Sequence, residues 1–302
     1  LSLHDALPIS PPGYQEEGAR GSQRHCAAHE RAPHGPLRPR PPLHVEEITT
    51  LVLQSHRAPL PAPWLGRCLA SVEYWARAAG FDYRFLGDEL FAPIPECLRG
   101  RLRPQPVVAG DLARLLALRR ALEEGYEAAV WCDADFLVFA PEQLTLPAAP
   151  YAVGREVWIE DRGDGRTPRA RVKVHNAFLL FRRGNALLDF CIHAAERLLG
   201  AHPGPYPPQF VGPKLLTALH NIVGFPVAER AAMLSPPVIR DLVAGGGPCL
   251  DLFRARSPEP PAGANLCASL AGGREIADNE VEAAIDALTG STPASSPTPM
   301  PT

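Results

Sequence analysis

The hydrophobic pattern of the chain divides it into alternating short apolar runs and amphipathic stretches. A strand-like run at 48–54 is followed by a helical stretch from about 64 to 79 and a second strand at 82–86. A further helix over roughly 107–124 places Val108, Leu112, Leu115, Leu116 and Leu122 on one stripe and ends at Gly125, a residue suited to a C-cap. Residues 128–132 are continuously apolar, as a strand buried on both faces should be. Downstream, 177–181 reads as another buried strand, 185–199 as a helix and 213–220 as a shorter one. Pro and Gly then dominate, and good periodicity returns only at 281–288. No internal repeat is visible. The β-α-β order predicts a mixed, mostly parallel sheet flanked by helices, in one α/β domain over 45–290.

Both ends fall outside that pattern. Residues 10–44 are rich in Pro, Gly, Arg and His, lack any period of 2 or 3.6, and are expected to be disordered, as is the Pro/Ser/Thr tail at 291–302. Residues 1–9, at the head of the segment 1–44 expected to be disordered, read as the in-frame translation of a sequencing-library adapter, so 1–9 are set aside from fold reasoning and the natural start is expected to be lost.

Composition narrows the function classes. The formal net charge of −3 at pH 7 and the lack of a basic run on a predicted helix give no field for nucleic acid or an anionic membrane. No apolar stretch approaches the roughly 20 residues a transmembrane span needs. The seven cysteines, Cys26, Cys68, Cys97, Cys132, Cys191, Cys249 and Cys267, form no Cys-x-x-Cys pair, and Cys132 and Cys191 sit in apolar runs as small hydrophobes. A reducing cytoplasmic location is the expectation.

The chemistry concentrates where the apolar run 128–132 ends in Asp133-Ala134-Asp135. Ligands of open α/β sheets sit beyond the carboxyl ends of strands, and two carboxylates placed there call for a cation between them. The plainer reading is an exposed turn, with Asp chosen for its turn chemistry. Asp111 and Arg114 stand three apart on the preceding helix, so they share a face. A surface ion pair of little energetic consequence would use the same spacing. Gln54, Ser55 and His56 end the first strand, either as strand-end capping or as ligand contacts, with an ordinary loop histidine the plainer account of His56. Asn176 precedes the strand at 177–181 and offers both donor and acceptor capacity to hydroxyls, or serves as a turn residue. Lys214 follows Gly212-Pro213 near a helix start, where an ammonium and backbone N–H groups can receive a phosphate; a solvated surface lysine is the competing account.

These segments resemble nucleotide-sugar glycosyltransferases of the GT-A fold, in particular the DXD-containing sugar-binding region of glycosyltransferase family 32 and its bacterial relatives. Four segments carry the resemblance in order over about 85 residues: Leu51 to His56, Ser71 to Trp75 with Tyr83 beyond, Gly110 to Arg114, and Trp131 to Asp135. A fifth, Val211 to Thr217, extends it more weakly. The resemblance implies a metal-dependent transfer of a sugar from a nucleotide-diphosphate donor to an unknown glycan or small-molecule acceptor. It implies Mn²⁺ or Mg²⁺ held directly by Asp135, with Asp133 on ribose or on the metal through water and Ala134 small enough to admit the donor. Asp111, Arg114, Gln54, His56 and Asn176 would bind donor, and Lys214 would stabilise the leaving group.

Two features depart from the family pattern. The usual Gly-Gly-x-Tyr before the acidic pair is replaced by Gly125-Tyr126-Glu127-Ala128, and the late His ligand has no counterpart, leaving Asn265 to supply an amide oxygen. A base for inverting transfer would come from Glu156, Glu160, Asp161 or Asp164, although Gly163 and Gly165 among arginines read as a mobile loop, one suited to closing over donor. Two alternatives stay open. One is a phosphohydrolase with Asp133 as nucleophile; the other is a catalytically silent protein that binds a sugar nucleotide.

Overall fold

In the computed structural model, residues 49–163 and 165–290 are described. The predicted disorder of 1–44 and 291–302, and Asp164, lie outside them. The central strand β1 (Thr50–Ser55) carries Leu51, Val52 and Leu53 buried on alternate faces and pairs in parallel with β2 (Asp82–Leu86) on one side and β3 (Ala128–Cys132) on the other. Between β1 and β2 the chain passes through α1 (Pro63–Ala78), where Pro63 opens the first turn at no hydrogen-bond cost. Between β2 and β3 it passes through α2 (Glu96–Leu102) and α3 (Pro106–Glu123). Because successive crossovers lead to opposite sides of β1, the β1/β3 boundary is a topological switch point, the place where open α/β sheets bind ligands.

Beyond β3 the chain leaves the large sheet through Asp133-Ala134-Asp135 and enters β4 (Phe136–Val138) in a second, smaller sheet. It returns as β5 (Tyr151–Glu160) and β6 (Arg169–Arg182), an antiparallel pair whose second strand also runs antiparallel to β3. Two helices follow, α4 (Ala186–Ala201), capped by Asn185 Oδ1 accepting from Leu187 N at 2.8 Å, and α5 (Pro213–Val223). The chain closes with β7 (Val227–Ala228), β8 (Ala231–Met233), α6 (Pro236–Val243), α7 (Pro248–Arg256), β9 (Gly263–Asn265) and α8 (Asp278–Thr289). The six-stranded sheet has the order β2-β1-β3-β6-β5-β7 and the three-stranded one β4-β9-β8. The architecture is therefore mixed α/β, a largely parallel sheet flanked by helices.

Alternation along the strands sorts side chains into separate cores. Leu51, Leu53, Trp131, Leu179 and Phe181 pack on the α3 and α4 side, while Val52, Val130, Phe178 and Leu180 pack with Val72 and Trp75 of α1 on the other. A third core lies among the small sheet, α6, α7 and α8. The structure corrects two expectations. The acidic loop around Glu156 and Glu160 is an ordered hairpin arm, since both belong to β5 and are paired across to Lys173 and Arg171. The Pro-rich region after 220 contains α6 and α7, where prolines occupy first-turn positions and start helices instead of breaking them.

The β5/β6 pair carries a register shift between Val153 and Gly154, and there the buried His175 ring lies over the Gly154 backbone. Its Nδ1 accepts from Ala177 N at 3.1 Å and its Nε2 donates to the Ala231 carbonyl at 3.1 Å, which fixes the neutral Nε2–H tautomer. A Cβ at position 154 would stand 2.2 Å from the ring. Gly154→Ala is expected to lower unfolding stability by about 1–3 kcal/mol, measured by urea denaturation. Gly154→Ala/His175→Ala should lose less than the sum of the two single changes, because the overlap is gone; strict additivity would contradict the contact.

Candidate functional site

At the switch point one cation is surrounded by acids. Arg114 projects from α3 toward the end of β3, with its side chain only 11% exposed. Its Nη1 donates to Asp133 Oδ1 at 2.9 Å and to the Asn176 carbonyl at 2.8 Å, and its Nη2 lies 3.4 Å from Asp111 Oδ1. The guanidinium also stands 5.5 Å from the Trp131 ring centroid. Burial works against the charge, but Asp133 and Asp111 outweigh it and hold the guanidinium protonated. The i,i+3 spacing of Asp111 and Arg114 thus marks a nearly buried pair rather than a surface one.

Asp111 sits beneath Arg114 and does not face solvent. Its Oδ1 accepts from Asn176 Nδ2 at 2.7 Å, while Oδ2 has no hydrogen-bond donor and rests against Gly212, where any Cβ would fall 2.4 Å from it. Glycine at 212 therefore lets the start of α5 close over this carboxylate. Burial raises the Asp111 pKa, and Arg114 opposes that rise. A water-sized void of about 10 Å³ adjoins the cluster. Gln54 is also consumed internally, with Nε2 donating to the Asp133 carbonyl at 3.0 Å and Oε1 accepting from Tyr83 Oη at 3.1 Å. Gln54, Asp111 and Asn176, expected to contact donor, are buried and brace Arg114 and the acidic turn from below.

The acidic turn itself is asymmetric. Asp133 Oδ1 is doubly engaged, by Arg114 and by Trp131 Nε1 at 2.6 Å, and Oδ2 accepts no hydrogen bond among the described residues. Asp135 has a donor on each oxygen, Asn265 Nδ2 on Oδ1 at 2.5 Å and Ala268 N on Oδ2 at 2.7 Å. Those two bonds come from the far end of the sequence, delivered where β9 pairs with β4 and Cys267 takes a left-handed φ of 54°. Asn265 was expected to offer its amide oxygen to a metal. That oxygen instead accepts from Cys267 N at 2.8 Å, a backbone donor that dictates the amide orientation, so Asn265 turns its nitrogen to Asp135 and orients the carboxylate.

Of the remaining candidates, Ala134 is buried between the two acids, and His56 is partly exposed with Nδ1 beside the Arg57 carbonyl at 2.8 Å. Lys214 is exposed, two residues beyond Gly212. Glu156 is buried with Lys173 Nζ 3.4 Å away, while Glu160 pairs with Arg171 and Asp161 caps its own turn at Gly163 N. Sequence reasoning missed Trp131 as a donor to Asp133 and His175 as a buried support, because both read as ordinary strand residues. A larger depression of about 390 Å³, lined by Arg119, Glu123, Arg183 and Asn185, adjoins the amino-terminal end of β3, away from the acids.

The cluster sets three carboxyl groups, those of Asp111, Asp133 and Asp135, around one guanidinium, that of Arg114. Oxygen donors, one of them open, suit a hard divalent cation that takes its other ligands from water or phosphate. Among the described residues no three His, Cys, Asp or Glu side chains make a ready cation cage.

No protein-family model matches the chain, and no curated protein sequence does. Among solved structures it is similar to a glycosyltransferase involved in glycosylation of the major capsid of PBCV-1, at 12% identity with 79% of this chain and 98% of that one covered and a TM-score of 0.40. It is similar to the galactosyltransferase LgtC in complex with donor and acceptor sugar analogues, at 15% identity, coverage of 82% and 98%, and a TM-score of 0.39. The corresponding values for mouse xyloside xylosyltransferase 1 in its apo form are 11%, 73%, 98% and 0.38. Among the described residues no helix is long and apolar enough to cross a membrane.

Burial first, and then Asp133, raise the Asp135 pKa to about 6, while burial lowers that of His175 to about 4. A carboxyl raised on folding stabilises below its unfolded pKa and loses that contribution as pH rises through about 6. A histidine depressed on folding stabilises above its unfolded pKa and loses that contribution as pH falls toward 4. The two slopes oppose each other between about pH 4 and 6. In chelator-treated protein, Asp135→Asn should therefore show stability that climbs more steeply with pH across this window than in the unsubstituted chain, by about 2 kcal/mol. Parallel profiles from denaturation at each pH would show that burial and Asp133 do not shift the Asp135 carboxyl.

Proposed function

We propose that this chain transfers a sugar from a nucleotide-diphosphate donor to a hydroxyl-bearing acceptor, using Mn²⁺ or Mg²⁺. The observation that carries the proposal is the open Oδ2 of Asp133, set beside Asp135 at the carboxyl ends of two parallel strands, in a cluster of three carboxyl groups around one guanidinium. The ordered resemblance of four segments around these residues supports the same reading.

In this proposal Asp133 and Asp135 hold the cation, which when bound neutralises charge developing on the departing diphosphate. The chain's own residues arrange that encounter. Arg114 fixes Asp133 from below, Asn265 and the Ala268 N–H fix Asp135 from the side, and Gln54 ties the turn to the end of β1. Preorganised donors of this kind cost no rearrangement during reaction. Lys214 and the start of α5 are the nearby cationic features suited to a phosphate oxygen. The acceptor is a glycan or small molecule in this reading, and Glu156 is the buried carboxylate of the hairpin suited to receive its proton if transfer inverts configuration.

A thermal-shift screen of nucleotide-diphosphate sugars with Mn²⁺ tests the proposal. One donor is expected to raise the melting temperature only when Mn²⁺ is present and to be slowly hydrolysed, with Asp133→Asn reducing both effects at least tenfold, on the order of what metal-site substitutions cost. Lys214→Ala should slow hydrolysis while leaving the Mn²⁺ dependence in place. A shift without turnover would indicate a binding protein, and release of phosphate from an aryl phosphate, abolished by Asp133→Asn, would indicate a phosphohydrolase. No response to any donor would overturn the proposal.

A further inference from the structure

We infer that Trp131 is a positioning residue of the acidic site, which acts through Asp133 by occupying Oδ1 so that Oδ2 alone is presented to a ligand. The inference rests on the cation-assisted reading above and adds a residue and a geometric selectivity to it.

Trp131 is the fourth residue of β3, and its side chain falls on the same face as Asp133 because strand side chains repeat every two residues. The ring is 3% exposed, wedged into the core with Leu53, Leu115 and Leu179. Its only polar atom, the indole N–H, therefore needs an acceptor inside the protein, and it finds Asp133 Oδ1 at 2.6 Å. Such a short bond from a neutral donor to a carboxylate is charge-assisted. The opposite side of the arrangement is closed by Arg114, whose guanidinium lies 5.5 Å from the ring centroid and donates to the same oxygen at 2.9 Å. The ring thus contacts both partners of the ion pair, directing the guanidinium with its face and the carboxylate with its edge.

Two convergent donors on one oxygen remove the freedom of the carboxylate to turn. With the backbone N of Asp133 tied to the Ala177 carbonyl at 2.9 Å and its carbonyl bonded to Gln54 and to Phe136 N, neither the main chain nor the carboxylate can reorient cheaply. Asp133 is left able to bind through one oxygen, while Asp135 keeps an N–H donor on each of its own. A ligand or cation reaching this turn therefore meets Asp133 Oδ2 first. That differs from the arrangement the sequence resemblance implies, in which Asp135 makes the direct contact. The indole N–H is what a phenylalanine of similar shape would lack.

The experiment uses the full chain with Mn²⁺ alone as probe. Trp131→Phe keeps the apolar ring and removes the donor, so it should weaken Mn²⁺ binding, read by calorimetry, about tenfold, while the urea midpoint shifts little. A readout that packing alone would not move is the Trp131 indole N–H resonance, assigned by its loss in Trp131→Phe. It should lie downfield, exchange slowly, move in Asp133→Asn, and broaden on adding Mn²⁺. An unchanged Mn²⁺ affinity in Trp131→Phe, with Asp133→Asn weakened, would overturn the role of Trp131 and leave the proposed function standing. An indole resonance insensitive to Asp133→Asn would overturn it as well. Absence of Mn²⁺ binding to the unsubstituted chain would overturn both together.

Discussion

A guanidinium almost sealed from water can persist only where carboxylates surround it, and the architecture around β3 follows from that requirement at Arg114. Removing one member of a buried ion network leaves an uncompensated charge costing several kcal/mol, far more than a surface pair contributes. Arg114 draws Asp111 from its own helix, Asp133 from the end of β3 and a carbonyl from β6 into one cluster. Through Gly212 the same cluster sets how closely α5 approaches. Four segments distant in sequence are thereby locked at the topological switch point, where a ligand of this architecture would bind.

The network leaves the acidic turn unequal on its two sides. Asp133 is held by one oxygen and open at the other, whereas Asp135 is supported by Asn265 and Ala268 from the small sheet. Burial, and after it the neighbouring Asp133, raises the Asp135 pKa, a cost to stability retained in the folded state. Structures commonly concede stability where function needs like charges together. Here the concession makes sense if a cation completes the cluster, and the site's chemistry and its strain then have one origin.

The first part of this arrangement was legible in the sequence. The apolar run before Asp133, the stripe on α3 and the i,i+3 spacing of Asp111 and Arg114 located the acids and the arginine on adjoining elements, because buried strands and amphipathic helices impose periods that survive in one sequence. The roles were less legible. Gln54, Asp111 and Asn176 read from sequence as ligand contacts, and the fold shows in addition that each is buried and holds a neighbour, Gln54 the Asp133 carbonyl and Asn176 the Asp111 carboxylate. Burial is a property of the assembled fold, and no local pattern announced it. The β5/β6 hairpin was misread as a loop because Gly163 and Gly165 among arginines dominate the local pattern, while the partners of Glu156 and Glu160, Lys173 and Arg171, lie on the other strand. The helices α6 and α7 were missed because a proline at a helix start looks, in sequence alone, like one that ends it. Asn265 reaches Asp135 across 130 positions, a separation at which single-sequence reasoning offers only a guess at chemistry.

The dependence of the site on its buried cation is most directly measured by a double-mutant cycle in chelator, with Arg114→Met and Asp111→Asn made singly and together and unfolding free energies determined for each. If Arg114 is the charge that holds the cluster, the double substitution will be less destabilising than the sum of the singles by about 2 kcal/mol or more, since each single change strands the other's charge. Additivity within about 0.5 kcal/mol would show that the two residues do not depend on one another, and the account of the site would fail with it.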